Sequence, residues 1–157
     1  MQLTDLLTPD RVAVERASAG NYVKADALTA LSNLLAAGTK LPSSAIERIL
    51  AEREHLQSTG IGEGVAIPHG ALAQLESQCA ALLIIPEGVE FQAIDGEKVT
   101  ILFAVIGPKR ATGEHLKTLA RVSRLLRNKG FRDRLIAAPS ASAAYELIAV
   151  EEGGDRR

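Results

Sequence analysis

The sequence predicts an α/β (α+β) protein in which a mixed β-sheet lies between two layers of helices, a three-layer α/β/α sandwich. Two runs, Cys79 to Ile85 and Val99 to Ile106, are almost continuously apolar, which is typical of strands buried on both faces. Patterns with helical periodicity come both before and after these runs. A short early strand at Val12 to Val14 is separated from the others by two helices, and this order favours a mixed sheet over a regular βαβ series.

The size and composition of the chain are those of a globular domain. The 157 residues are 46% hydrophobic and 24% charged, enough to bury a substantial core. We expect one domain over residues 1–150 and a flexible tail over residues 151–157. No internal repeat, linker or low-complexity segment interrupts the domain.

Charge and composition argue against several classes of partner. The formal net charge is −1 and aromatic residues make up 3% of the chain, with no Trp, so nucleic acid is not an expected ligand. Cys79 is the only cysteine, which excludes an internal disulfide and a multi-cysteine metal site. No apolar run approaches the ~20 residues that span a bilayer. We therefore expect no membrane insertion and a cytoplasmic location.

The first half of the chain is predicted to be mainly helical. Leu3 to Leu7 suggests one helical turn, which Pro9 ends. Apolar residues from Lys24 to Ala37 recur at helical spacing, and Gly38 is placed as a stop. Pro42 then suits the start of a second helix, where its missing N–H costs least.

The second half is predicted to contain strands and then three helices. Pro86 to Gly88 is a turn signal and Asp95-Gly96 is a hairpin signal. Thr112 is a candidate N-cap for a helix that runs to Asn128. Two further helices are expected, at residues 131–137 and 142–150.

The stretch from Ser58 to Gly70, STGIGEGVAIPHG, organises the chain. Its glycines at every second position permit backbone geometries that other residues resist, and their bare amides could line an anion site. A short strand, Val65 to Ile67, follows, and Pro68 restricts the backbone so that His69 is held at a defined place. We expect Gly70 to leave the far side of this histidine open. The pattern indicates an exposed imidazole nucleophile or base.

Other functions for this stretch fit less well. It lacks the Gly-Lys-Ser/Thr ending of a P-loop, and a dinucleotide fingerprint would follow a strand and open a helix. A purely structural turn is the simplest alternative. A serine hydrolase is disfavoured because no G-x-S-x-G motif occurs.

Three histidines are present, and they differ in context. His55 lies near a helix end among polar residues, as a solvated side chain would. His115 lies in the first turn of the predicted helix after Thr112, on its apolar face, where the positive helix end favours a neutral imidazole. His69 and His115 lack the spacing or cysteine neighbours of a zinc site, so no metal is expected.

Arg53 is the remaining candidate. It continues the apolar stripe of the second helix, set by Ile46, Ile49 and Leu50, and a charge there needs a partner. One interpretation is an arginine that extends to solvent and pairs with Glu54. The other is a cation directed at the glycine stretch. The spacing alone does not decide between them.

Phosphoryl transfer is the chemistry that would use these residues together. A neutral imidazole can attack phosphorus and carry the group as phosphohistidine, and the protein then mainly supplies positioning and charge stabilisation. Candidates for holding the group are Arg53 and the dipole of the helix that carries His115. The predicted phosphate-binding residues in the glycine stretch are Ser58, Thr59, Gly60, Gly62 and Gly64.

Arg53-Glu54 followed by STGIGEGVAIPHG resembles the active-site signature of the type-2 EIIA domains of the bacterial phosphoenolpyruvate-dependent phosphotransferase system (PTS). The similarity continues through Phe91-Gln92-Ala93-Ile94-Asp95-Gly96, the helical run His115-Leu116-Lys117-Thr118-Leu119 and the block Phe131 to Leu135, and so covers nearly the whole chain. It implies the EIIA type-2 fold and no cofactor.

The resemblance also implies roles for three residues. His69 corresponds to the histidine that a phosphorylated HPr-like carrier protein phosphorylates on Nε2. His115 corresponds to a second histidine that interacts with the first, and Arg53 to an arginine that helps to hold the phosphoryl group.

Two destinations for the phosphoryl group remain. In the transport hypothesis, the chain transfers the phosphoryl group to an EIIB domain of a fructose/mannitol-type system for sugar uptake. In the regulatory hypothesis, phosphorylation of the chain changes its binding to target proteins such as kinases or potassium-transport proteins. The absence of fused carrier, EIIB or membrane segments from the sequence and the region from Phe91 to Pro108 favour the nitrogen-regulatory branch. A binding module that has lost transfer is a third possibility, which intact His69, Arg53 and His115 disfavour.

Overall fold

A computed structural model of the chain describes residues 2–17 and 22–155 and confirms the three-layer α/β/α sandwich. Two short 3-10 turns, Leu3–Asp5 and Pro9–Arg11, open the chain. The six strands are β1 (Val12–Val14), β2 (Gly60–Gly62), β3 (Val65–Ala66), β4 (His69–Leu72), β5 (Cys79–Val89) and β6 (Val99–Pro108). The five helices are α1 (Lys24–Ala37), α2 (Ser43–Leu56), α3 (Thr112–Leu125), α4 (Lys129–Ile136) and α5 (Ala141–Asp155).

Strand β6 is central in the sheet, as its apolar run predicted. The strand order is β1-β5-β6-β3-β2, and β4 also pairs with β6 beyond the end of β3. β5 and β6 are antiparallel, whereas β1 is parallel to β5, and β3 and β4 are parallel to β6. The sheet is therefore mixed.

Side chains alternate along β5 and β6 between two cores. On one face, α1 and α2 cover residues that include Leu83 and Leu102. On the other face, α3, α4, α5 and the N-terminal turns cover residues that include Leu82 and Phe103. Because successive residues of a strand point to opposite faces, a strand with two buried faces must be apolar at nearly every position.

Several predicted boundaries are wrong. Pro86 to Gly88 does not end a strand: β5 continues to Val89, with an irregularity in its pairing between Ile84 and Val89. Thr112 is the first residue of α3 and Ala111 precedes it as the N-cap. α3 ends at Leu125, and Asn128 instead caps α4 by accepting a hydrogen bond from the Phe131 N–H.

The start predicted for a flexible tail, Glu151, is too early in the chain. α5 continues to Asp155, and Glu152 is only 2% exposed. Its carboxylate accepts hydrogen bonds from the N–H groups of Leu3 and Thr4 and from Arg121 Nε. These contacts tie the last helix to the N-terminal turn and to α3. Among the helices of the described ranges, none combines the length and apolar character needed to cross a membrane.

Candidate active site

The glycine stretch forms a tight hairpin rather than an open loop. β2 and β3 are antiparallel, and the turn between them contains Gly62 at φ 98°, Glu63 at φ 60° and Gly64 at φ 77°. Backbone in this region favours glycine, which explains Gly62 and Gly64. The Glu63 N–H donates to Asp95 Oδ2 and the Gly64 carbonyl accepts from the Thr100 N–H.

His69 lies at the start of β4, directly after Pro68. The Pro68 carbonyl accepts a hydrogen bond from the Val105 N–H at 3.0 Å, and His69 pairs with Val105 across the sheet. Strand pairing on the central strand therefore fixes the backbone that carries the imidazole. Gly70 does not leave the far side open, because a Cβ there would lie 2.3 Å from Ile49 Cγ2. Glycine at this position allows α2 to pack closely against β4.

The hydrogen bonds of His69 define which ring nitrogen is available. Nδ1 lies 2.7 Å from the Ile67 carbonyl oxygen, which can only accept, so Nδ1 carries the proton. Nε2 is then the unprotonated nitrogen, and its lone pair accepts a hydrogen bond from Arg53 Nε at 3.3 Å. Arg53 Nη1 also donates to the Gln57 carbonyl at 2.8 Å. Of the two interpretations of Arg53, the structure therefore supports the cation directed at the site.

His115 lies beside His69, as expected for the pair. The two ring centroids are 5.7 Å apart and the ring planes are tilted by 55°. His115 Nδ1 is buried without a hydrogen-bond partner among the described residues. The exposed histidine His55 makes no such approach within these residues, which agrees with its predicted solvation.

Burial lowers the pKa of both histidines below the ordinary value of 6.5. For His69, the hydrogen bond to Ile67 opposes the effect of burial and the charge of Arg53 adds to it. For His115, burial acts first and the neighbouring His69 second. Both imidazoles are therefore neutral at neutral pH, and His69 Nε2 is available as a nucleophile.

These lowered pKa values predict a pH-dependent stability. Since the unfolded chain binds protons at these histidines more readily than the folded chain, the free energy of unfolding should fall as the pH drops from about 6.5 toward the lowered pKa values. Urea unfolding between roughly pH 7.5 and 5.5, together with NMR titration of both imidazoles, tests this. A His69→Gln, His115→Gln double variant should lose that part of the slope. Titration of both histidines at or above pH 6.5 would contradict the expectation.

The predicted phosphate-binding residues divide into two groups. A cleft of about 440 Å³ is lined by His69 and Arg53 together with Ser58, Thr59 and Gly60, whereas Gly62 and Gly64 do not line it. Gly62 faces Asp95 and Gly64 faces Thr100. Among the described residues, no three His, Cys, Asp or Glu side chains cluster as metal ligands would.

The hydroxyls at the cleft are already engaged. Ser58 Oγ donates to the Phe91 carbonyl and accepts from the Gly60 N–H. Thr59 is buried, and both its N–H and its hydroxyl donate to the Glu54 carboxylate. In this state of the protein, Arg53 is thus the donor that faces His69, and the two hydroxyls brace the wall of the cleft.

Glu54 is an important residue that the sequence interpretation missed. Its side chain is 4% exposed and lies 2.7 Å from Lys24 Nζ. Lys24 Nζ also donates to the Phe91 carbonyl and lies 4.5 Å from the Phe91 ring centroid. This buried ion pair connects α1, α2, the segment before β2 and the connection after β5. The feature of the sequence that indicates the burial of Glu54 is its four-residue spacing from the buried residues Ile46 and Leu50.

A sequence-family model, "Phosphoenolpyruvate-dependent sugar phosphotransferase system, EIIA 2", matches residues 7–150 of the chain. The chain therefore belongs to this family, whose members are components of phosphoryl transfer. This confirms the resemblance that the active-site signature indicated.

The relatives point to one branch of the family. A nitrogen regulatory protein of Pseudomonas aeruginosa is 36% identical, with 98% of this chain and 99% of the relative covered. The crystal structure of nitrogen regulatory protein IIA-Ntr from Neisseria meningitidis superposes with a TM-score of 0.84 at 31% identity, covering 93% of this chain and 98% of that one. The fructose-specific EIIABC component of Bacillus subtilis is 31% identical over 94% of this chain, which corresponds to 23% of that protein. The nitrogen-regulatory interpretation is thus favoured over the fructose/mannitol one.

Proposed function

We propose that the chain is a phosphocarrier that accepts a phosphoryl group on His69 Nε2 from an HPr-like protein and acts as a nitrogen-regulatory PTS component. The observation that carries the proposal is the pair of contacts on His69. The Ile67 carbonyl holds the proton on Nδ1, and Arg53 lies at the opposite nitrogen, 3.3 Å away. The lone pair and the positive charge therefore lie on the side where a phosphoryl group would arrive.

The transfer step follows from this geometry. The lone pair of His69 Nε2 forms the new N–P bond as the N–P bond of the donor histidine breaks, and that bonding pair returns to the donor imidazole. Arg53 must leave Nε2 and can then bind the phosphoryl oxygens, where a guanidinium provides several donors. The Ile67 carbonyl stabilises the positive charge that develops on the ring.

The surroundings of His69 suit a protein donor. Leu56 is 81% exposed and lies on an open apolar groove that also contains His69 and His115. On the other side, Ile61 is 49% and Ile94 is 79% exposed, and both line the cleft with His69. Exposed apolar side chains around a reactive group are typical of a protein docking surface. A phosphoryl group held here would be shielded by the docked carrier.

The regulatory role rests on charge. A phosphoryl group adds strong negative charge to this apolar surface and changes which partners it fits. We propose that target proteins, such as kinases or potassium-transport proteins, distinguish the two states, and that the protein acts in the cytoplasm. Transfer to an EIIB domain for sugar uptake is the alternative.

One experiment separates these roles. The protein is phosphorylated with phosphoenolpyruvate, the first enzyme of the system and its carrier, and is then offered a fructose-type EIIB domain or candidate target proteins. We expect one acid-labile phosphoryl group per chain, slow transfer to EIIB, and target affinity that differs between the two states. The His115→Ala variant should still be labelled but should release the group roughly 10- to 100-fold more slowly. Rapid transfer to EIIB, with equal target binding in both states, would favour the transport role.

A further inference from the structure

Two buried polar atoms lack hydrogen-bond partners among the described residues, and the side chains that carry them both approach Gly107. They are Gln78 Oε1 and His115 Nδ1. A Cβ at Gly107 would lie 3.1 Å from Gln78 Cγ and 3.4 Å from His115 Nδ1. Buried polar groups without partners are rare, so their coincidence at one position needs an explanation.

The sheet brings these groups together. Cys79 pairs with Ile106 in the antiparallel β5–β6 ladder, so Gln78 precedes β5 opposite Gly107. Gly107 is buried near the end of β6, and His115 follows in the first turn of α3. A larger residue at position 107 would separate the glutamine from the imidazole.

Which ring nitrogen of His115 carries the proton matters because His115 lies beside His69. A phosphoryl group on His69 Nε2 needs hydrogen-bond donors around its oxygens. Since Nδ1 of His115 is the buried nitrogen, Nε2 is the one that can face the group. A neutral imidazole carries only one proton, so Nε2 can donate only when Nδ1 is an acceptor, and Nδ1 then needs a donor of its own.

We propose that Gln78 is a positioning residue whose side-chain amide donates an N–H to His115 Nδ1 and thereby holds the His115 proton on Nε2, facing the phosphoryl group. Gln78 Cγ and His115 Nδ1 lie 3.1 and 3.4 Å from the same point, the Cβ position of Gly107. Rotation of the Gln78 side chain about its own bonds can therefore bring the NH₂ group to Nδ1 and satisfy it. The half-buried Gln78 side chain then directs its oxygen away from the imidazole. The proposal deepens the proposed function, on which its kinetic consequence rests.

The tautomer can be read directly from the ¹⁵N chemical shifts of the His115 ring, in the protein with and without a phosphoryl group. We expect the proton on Nε2 in the wild type and a mixture of tautomers in Gln78→Leu. Gln78→Glu should place the proton on Nδ1, because a carboxylate can only accept. Gln74→Leu, at an exposed position a few residues earlier, is the matched control and should keep the wild-type tautomer.

The kinetic readout is release of the phosphoryl group from His69 to its acceptor, the step that His115→Ala is expected to slow. Gln78→Leu should slow it roughly threefold to tenfold, the equivalent of one ordinary hydrogen bond, and Gln78→Glu should slow it further. Gly107→Ala inserts a methyl group between the side chains of Gln78 and His115. It should give the same mixture of His115 tautomers as Gln78→Leu, although Gln78 itself is unchanged.

A proton on Nδ1 in the wild type, or the same tautomer in the wild type and Gln78→Leu, would overturn the proposal. Unchanged transfer despite a changed tautomer would overturn the positioning role. The tautomer measurement on the unphosphorylated protein needs no transfer, so failure of the phosphoryl relay leaves that test intact.

Discussion

Replacement of His69 by alanine is expected to abolish phosphoryl acceptance completely while leaving the fold intact. The imidazole is the proposed nucleophile, and no neighbouring side chain presents an equivalent lone pair beside Arg53 within the described cleft. The side chain is only half-buried, and its loss frees two groups, Arg53 and the Ile67 carbonyl, that can bind water. Labelling in a reconstituted relay, with circular dichroism as the check on folding, measures both effects.

Glu146→Ala is the control for this substitution. Glu146 is exposed on α5 and lines neither the cleft nor the apolar groove at His69. This variant should be labelled at the wild-type rate. Label on His69→Ala at a level comparable with the wild type would remove His69 from its proposed role.

Loss of the Glu54 carboxylate should give the largest change in stability. Glu54→Leu leaves the Thr59 N–H and hydroxyl without their acceptor and leaves Lys24 without its counter-ion. Broken buried ion pairs and unsatisfied buried donors cost several kcal/mol, and Lys24 can partly reach solvent, so we expect a loss of about 3 kcal/mol. That corresponds to a fall in Tm of roughly 6–12 °C for a chain of this size, measurable by thermal and urea unfolding.

Two further variants identify the cause. Glu52→Leu changes an exposed residue of the same helix and should alter the free energy of unfolding by no more than about 0.5 kcal/mol. Glu54→Gln keeps an acceptor for Thr59 but removes the charge, and should fall between the two. Equal stability of Glu54→Leu and Glu52→Leu would show that the ion pair does not hold this segment.

The sandwich could be predicted because its central strands are apolar at nearly every position. β5 and β6 are each contacted on both faces, so the apolar runs marked them directly. The prediction of α1 from Lys24 to Ala37 coincides with the helix, since apolar spacing and Gly38 mark its body and end.

The short edge strands could not be predicted in the same way. β2 and β4 each have three or four residues and contain glycine or histidine, so neither carries an apolar alternation. They are strands because β3 and β6 supply pairing partners. Likewise, Pro86 to Gly88 has turn chemistry, but the pairing of Val89 with Val99 keeps the segment in the sheet.

The structure brings together three predicted site residues, His69, Arg53 and His115. The Pro68-His69 pair and the position of His115 in the first turn of a helix indicated two of them, whereas the spacing of Arg53 alone left two interpretations open. Glu54, which supports the site, accepts from Thr59 and pairs with Lys24, which comes from another helix. The four-residue spacing with Ile46 and Leu50 marks Glu54 as buried, but no local pattern in the sequence identifies its distant partner.

The most direct test of the account is to determine which nitrogen carries phosphorus in the phosphorylated protein. Scalar coupling between ³¹P and ¹⁵N, with the imidazole ¹⁵N shifts, identifies the bonded ring nitrogen. We expect phosphorus on His69 Nε2, with the proton retained on Nδ1 by its 2.7 Å contact to the Ile67 carbonyl. Phosphorus on Nδ1 of His69, on His115 or on any other side chain would contradict the account.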